Sequence, residues 1–233
     1  MRKSQVLVII PAYNEEDNIV NVTEQFREKY TQYDYVIVND GSNDHTADIC
    51  IENKYNILNL PINLGLAGAF QTGMKYAYEN GYEYAIQFDA DGQHMPEYID
   101  SMLEEMKNGC DIVIGSRFVT EKKPHSMRML GSDLISLAIQ MSTGKKIKDP
   151  TSGMRMYNKN MISKFANSIN YGPEPDTISH LLRNDAIIGE VQVYMQERTA
   201  GESYLKPFKA MAYMIRLLCS ILIIQNFRKR EKV

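Results

Sequence analysis

Up to about residue 115, short apolar runs alternate with segments whose apolar positions recur at helical spacing. VLVII (6–10), YVIVN (35–39), ILNL (57–60), YAIQF (84–88) and DIVIG (111–115) read as strands. They are apolar throughout rather than alternating, the pattern of a parallel sheet covered by helices on both faces. Between them, helices are predicted near 15–30, 44–54, 66–80 and 96–108, with Asn14 and Ser42 as N-caps ahead of acidic first turns. This alternation predicts an α/β domain with right-handed crossovers and a mostly parallel central sheet flanked by helices.

After residue 116 the pattern loosens. FVTEKKPHSMRM (118–129) has no clear periodicity and reads as a mobile loop, and a helix is predicted over about 130–143. DPTSGMRMY (149–157) reads as a turn entering a strand, NYGPEPDTISHLL (170–182) as a Pro-broken loop running into a helix, and AIIGEVQVYM (186–195) as a strand.

The C-terminal stretch differs. From Phe208 to Phe227 it is nearly all apolar, broken by Lys209, Arg216 and Ser220 at spacings that a helix gathers into one narrow polar stripe. With two charges inside about 20 apolar residues it is borderline for a membrane span. Three readings stay open: a core or dimer helix, an amphipathic helix at a membrane interface, and a true span. The basic tail RKREK (228–232) suits an anionic membrane surface. A boundary is accordingly expected near residue 204, between a main domain (1–204) and an apolar helix with a basic tail (205–233).

Composition narrows the function classes. The 233 residues suit one large domain, and the net charge of −3 argues against nucleic acid as a partner. Cys50, Cys110 and Cys219 lie far apart without metal-ligand spacing and are read as reduced thiols in a cytosolic protein. The apolar run behind the basic N-terminus is too short for a secretory signal and reads as a first strand. Fourteen methionines read chiefly as adaptable core packing, with lipid or protein contact as the other use of such side chains.

The strand ends carry the chemistry. They run into PAYNEE, NDGSND, DADGQH and GSR, and in an open parallel sheet ligands bind at the carboxyl ends of the strands. Asp89 and Asp91 are two apart, so on extended backbone they face one side. Such a pair is either a solvated turn or an oxygen site for Mg2+ or Mn2+, with Gln93 and His94 placed to complete or orient the shell.

Taken together and in order, VIIPAYNEEDNI, VIVNDGSNDHT, NLGLAGAFQTGMKYA, QFDADGQHMPEYI and GSRF resemble family 2 glycosyltransferases of the GT-A fold. DPTSGMRMY and GPEPD resemble the dolichyl-phosphate-mannose-synthase-like branch. The resemblance implies sugar transfer, inverting, from a nucleotide-diphospho-sugar to a polyisoprenyl phosphate or lipid-linked acceptor in cell-surface polysaccharide or glycolipid synthesis. By that resemblance Pro11, Tyr13, Glu15, Asp40, Asn63, Gly65, Gly68 and Asp89 hold the donor, with Asp40 at the base. Asp89, Asp91 and Gln93 are the implied metal residues, and Arg117, Arg128 and Arg198 the implied phosphate-binding arginines. Arg117, Arg198 and Asp91 also count among the candidate catalytic residues.

A sugar hydroxyl acceptor must lose a proton, whereas a lipid phosphate is already an anion. Asp149, Glu174 and Asp176 are the candidate bases; the alternative for Asp149 is to cap the PTSG turn, and for Glu174, between Pro173 and Pro175, to shape the loop. Two other readings stand beside lipid-phosphate transfer: a saccharide-extending transferase and a nucleotide-sugar-binding protein without transfer. The branch's usual multi-pass membrane domain is not in this sequence, so a peripheral position at the cytoplasmic face, a membrane-protein partner and a homo-oligomer are the expected associations.

Overall fold

The computed structural model describes residues 4–167, 172–196 and 207–228. A seven-stranded sheet in the order β3-β2-β1-β4-β6-β5-β7 forms its middle layer. Its strands are β1 (Val6–Ala12), β2 (Asp34–Asn39), β3 (Ile57–Asn59), β4 (Tyr84–Gln87), β5 (Ile112–Ser116), β6 (Arg155–Asn158) and β7 (Ile188–Gln192). β1 pairs in parallel with both β2 and β4, and β5 with β7. β6 alone runs against its neighbours, pairing antiparallel with β4 and β5.

The apolar strands bury both faces. Along β1, Leu7 and Ile9 enter one core, while Val6, Val8 and Ile10 enter the other. Helix α3 (Gly65–Glu79) packs on the first face, with α6 (Lys159–Asn167) beside it. Gly73 makes that approach possible, because a Cβ there would lie 2.3 Å from Ile9 Cγ2. The opposite face is covered by α1 (Ile19–Glu24), α2 (Thr46–Glu52) and α4 (Ile99–Lys107), through Ile19, Val22, Cys50, Ile99 and Met102.

Several local expectations change. The first helix begins at Ile19, not near 15, and ends in a π-helical turn, Gln25–Lys29. Asn14 is no cap: its backbone is left-handed (φ 56°), and its side chain accepts the Asn43 N–H at 2.8 Å. Nor does Ser42 cap α2. Asp44 accepts both the N–H and the hydroxyl of Thr46, at 3.0 and 2.6 Å, while Ser42 donates to Asn39. Helix α5 (Met127–Thr143) starts three residues early because Ser126 accepts the Met129 N–H at 3.2 Å. The loop before it is tied down, with Thr120 N–H on Gln192 and Lys123 Nζ 2.7 Å from Asp133. Helix α6 is unforeseen in the sequence. Its register is set by Asn158, whose side chain accepts the Met161 N–H.

The C-terminal helix α8 (Pro207–Leu222), followed by a 3-10 turn, Ile224–Phe227, packs against α5 and α7 (Pro175–Arg183). Leu217 and Ile221 belong to the same buried cluster as Ile135, Ile139 and Ile178. The polar stripe divides: Ser220 turns inward, and Arg216 stays exposed with its guanidinium 5.3 Å from the Tyr213 ring centroid. Among the described residues, no helix is long and apolar enough to cross a membrane. The boundary drawn at 204–205 lies outside the described residues. Leu217→Ala is expected to cost about 2–4 kcal/mol, with one cooperative transition; a separate low-stability transition for α8 in urea denaturation followed by hydrogen exchange would count against this packing.

Candidate active site

The site lies where the direction of winding reverses. The chain builds β1, β2 and β3 outward, then returns past β1 to place β4 on its other side, which opens a crevice at their carboxyl ends. Pro11 to Glu15 leave β1 on one wall, and Asp89 to His94 leave β4 on the other.

On the first wall, backbone and side chains knit three loops together. The Glu15 N–H donates to Thr46 at 2.9 Å, and the Glu15 carboxylate accepts from Asn18 at 2.9 Å. Tyr13 stands at the rim with its hydroxyl 3.3 Å from the Asn43 amide. Asp40 is buried, and its Oδ1 accepts the Leu64 N–H at 2.7 Å. Gly41 lets the two loops meet: its φ is +65°, and a Cβ would lie 2.7 Å from the Asn63 nitrogen. Asn63 in turn accepts the Gly65 N–H at 3.0 Å where α3 begins. Gly68 lies one turn further along, against Leu64. The structure therefore brings together, along one edge, Pro11, Tyr13, Glu15, Asp40, Asn63, Gly65 and Gly68, which the family resemblance assigns to the donor.

On the second wall, the DADGQH turn folds back on itself. Gly92 has φ +76°, and the Gln93 N–H donates to Asp91 Oδ1 at 3.1 Å. The Gln93 side-chain amide donates to the Gln196 carbonyl at 3.4 Å, which ties the turn to the segment after β7. Asp91 is buried, whereas the Asp89 side chain is 39% exposed. Among the described residues, no three His, Cys, Asp or Glu side chains converge as a metal cage. Two carboxylates without nitrogen or sulfur donors fit Mg2+ or Mn2+, hard cations that take their remaining ligands from phosphate oxygens and water.

The antiparallel β6 supplies the third wall, because it enters the sheet at the edge where β4 and β5 leave it. The turn ahead of it thus sits beside both strand ends. Gly153 faces Asp89, where a Cβ would lie 2.8 Å from Oδ2. Ser152 donates to the Gly115 carbonyl at 2.5 Å. Asp149, fully buried, holds Arg117 in a two-pronged contact, Nε to Oδ2 at 2.7 Å and Nη2 to Oδ1 at 2.8 Å. Burial pushes the Asp149 carboxyl up, but the hydrogen bonds and charge of Arg117, with help from Thr151, outweigh it and hold it below the usual range.

The other two candidate bases point at α8. Glu174 accepts a hydrogen bond from the Tyr213 hydroxyl, and Asp176 accepts one from Ser220 at 2.7 Å. Burial and Glu174 together raise the Tyr213 hydroxyl well above its ordinary value. Asp149, Glu174 and Asp176 are therefore not gathered at one point. Arg128 falls in the first turn of α5, and Arg198 lies outside the described residues. Arg155 was read only as part of a strand. It is 1% exposed and donates to the carbonyls of Ser152, Pro150 and Glu174, joining the turn before β6 to the loop before α7. An arginine inside an otherwise apolar strand was its signal in the sequence.

A mostly parallel three-layer sheet, with an acidic turn at the switch point and an antiparallel insertion beside it, defines a glycosyltransferase of the GT-A class. The chain belongs to glycosyl transferase family 2, whose model matches residues 7–165. It is 32% identical to the undecaprenyl-phosphate mannosyltransferase of Micrococcus luteus over 212 residues, covering 85% of this chain and 86% of that protein. It is 31% identical to the UDP-N-acetylglucosamine–dolichyl-phosphate N-acetylglucosaminyltransferase of Methanococcus voltae, over 83% of this chain and 86% of that one. Among solved structures, glucosyl-3-phosphoglycerate synthase from Mycobacterium tuberculosis, in complex with Mn2+, UDP and phosphoglyceric acid, superposes with a TM-score of 0.69. That match covers 98% of this chain and 80% of the other at 15% identity, and so is a likeness of fold.

Because the Asp149 pKa is depressed on folding, its contribution to stability is present above the carboxylate range and is lost as pH falls through the folded value. Asp149→Asn is expected to lower stability by about 3 kcal/mol near neutral pH. The gap to wild type should narrow down the acid limb. Urea midpoints across that range check it, and a gap that widens in acid would refute the assignment.

Proposed function

We propose that the protein transfers a sugar from a nucleotide-diphospho-sugar to a polyisoprenyl phosphate, working as a peripheral protein at the cytoplasmic face of a membrane. The carrying observation is the outer surface of α5 and α8. Met127, Leu130, Leu134, Leu137 and Met141 form an exposed apolar stripe along α5 at helical spacing. Met211, Ile215 and Leu222 are exposed on α8, and Ile223 and Phe227, beyond its end, are exposed too, Phe227 at 86%. Soluble surfaces rarely carry so many large apolar side chains together, and such patches mark interaction sites. Exposed Lys122, Lys145, Lys146, Arg216 and Arg228 flank the two helices, a charge pattern suited to anionic lipid.

This surface adjoins the chemistry. Ser132 of α5 lies 3.4 Å from Thr151, which itself contacts both Arg117 and Asp149. A lipid phosphate entering beside α5 would meet the Arg117 corner of the crevice, with Arg128 and Arg198 as further phosphate-binding residues. Pro11, Tyr13, Glu15, Asp40, Asn63, Gly65 and Gly68 would hold the donor nucleotide. Asp89 and Asp91, with Gln93 steadying the turn, would hold Mg2+ or Mn2+ against the donor diphosphate. When bound, the cation neutralises charge that develops on the departing diphosphate.

The proton inventory favours an anionic acceptor. Asp149, Glu174 and Asp176 each already accept a hydrogen bond, and a phosphate acceptor needs no base. The relatives named for undecaprenyl-phosphate and dolichyl-phosphate acceptors support this reading, under which the transfer would serve glycolipid or cell-surface polysaccharide synthesis.

In a transfer assay with polyprenyl phosphate in anionic vesicles, Asp91→Asn is expected to reduce turnover at least about 100-fold. Turnover onto a free saccharide without any lipid would overturn the acceptor assignment. In vesicle flotation with phosphatidylglycerol, the double substitution Leu134→Glu with Leu137→Glu is expected to leave the protein in the soluble fraction while wild type floats. Equal flotation of both would remove the role given to α5.

A further inference from the structure

We infer that His94 is the positioning residue that sets Asp89 for cation binding, by accepting its backbone N–H at Nδ1. The ring is 3% exposed and sits edge-to-face against Phe88, with centroids 5.3 Å apart and an interplanar angle of 79°. Its Nδ1 accepts the backbone N–H of Asp89 at 2.9 Å, so that nitrogen carries a lone pair and the proton of the neutral ring is on Nε2. Nε2 lies 3.5 Å from Asp89 Oδ2. The ring thus holds the backbone of Asp89 and lies beside its carboxylate without a hydrogen bond to it.

The same carboxylate is fixed from two other directions. Gln87, 1% exposed at the end of β4, donates to Oδ1 at 3.2 Å. Gly153 closes the space beside Oδ2, where a Cβ would come within 2.8 Å. The carboxylate therefore keeps one open side, toward the crevice, and little freedom to rotate. The arrangement also separates the two roles His94 can have in a metal shell. A ring whose Nδ1 is taken by the backbone N–H of Asp89 does not ligate a cation through that nitrogen; it orients a ligand. Partners of this kind behind metal-binding carboxylates typically change affinity 10–100-fold when removed.

The inference rests on the cation reading of Asp89 and Asp91, so its test includes a control for that reading. Mn2+ would be titrated into the whole protein, alone and with inorganic pyrophosphate, following the free ion by electron paramagnetic resonance. His94→Asn keeps an acceptor near the Nδ1 position and loses the donor near Nε2; His94→Gln does the reverse. Mn2+ affinity is expected to fall about tenfold in His94→Gln, which loses the acceptor, and to stay within about twofold of wild type in His94→Asn, which keeps it. The melting midpoint of the metal-free protein should be similar in the two variants. If His94→Gln binds Mn2+ as wild type does while Asp91→Asn does not, the positioning role is wrong and the cation site stands. If Asp91→Asn also binds as wild type, the cation site falls and the inference with it. Equal weakening in both His94 variants, together with lowered metal-free midpoints, would assign the ring to packing and overturn the proposal.

Discussion

A single reversed strand determines where the chemistry of this protein is assembled. Parallel strands leave a sheet at one edge, and their connections return to the other. By entering between β4 and β5 in the opposite sense, β6 delivers the turn at its own start to the edge where those strands end. Asp149 and Thr151 thereby reach Arg117, Gly153 reaches Asp89 and Ser152 the Gly115 carbonyl, without a long loop. Had β6 been parallel, the same turn would lie at the far side of the sheet.

That placement creates an electrostatic problem, which the local structure resolves by pairing. A guanidinium and a carboxylate removed from water are each costly alone, and the Arg117–Asp149 contact offsets both with two short charge-assisted hydrogen bonds. Arg155 is treated differently: it is satisfied by three main-chain carbonyls drawn from separate loops. The first arrangement fixes a charged corner of the crevice. The second fixes the backbone beneath it.

Much of this was legible in the sequence because it depends on local pattern. Continuous apolar runs located the strands, and the order of PAYNEE, NDGS, DADGQH and GSR placed polar groups at one edge. What was not legible depends on long-range pairing. Asn14 looks like a cap until the N–H of Asn43, in the loop after β2, donates to its side chain. Glu174 and Asp176 look like free bases until Tyr213 and Ser220, about forty residues on, donate to them. Helix α6 was missed because Asn158, which starts it, ends a strand with no intervening loop. The sense of β6 was also hidden, since four residues of RMYN carry no record of which way they run.

The contacts of α8 with Glu174 and Asp176 have a thermodynamic corollary. Tyr213, Ser220 and Gln225 hold the start of α7 from a helix whose other side faces outward. Arg155, from beneath, binds the carbonyl of that same Glu174. Two binding events on opposite sides of such a joint share free energy, and the sharing is reciprocal. Whatever steadies the outer side of α8 steadies the loop at Glu174, and whatever orders that loop steadies α8 in turn.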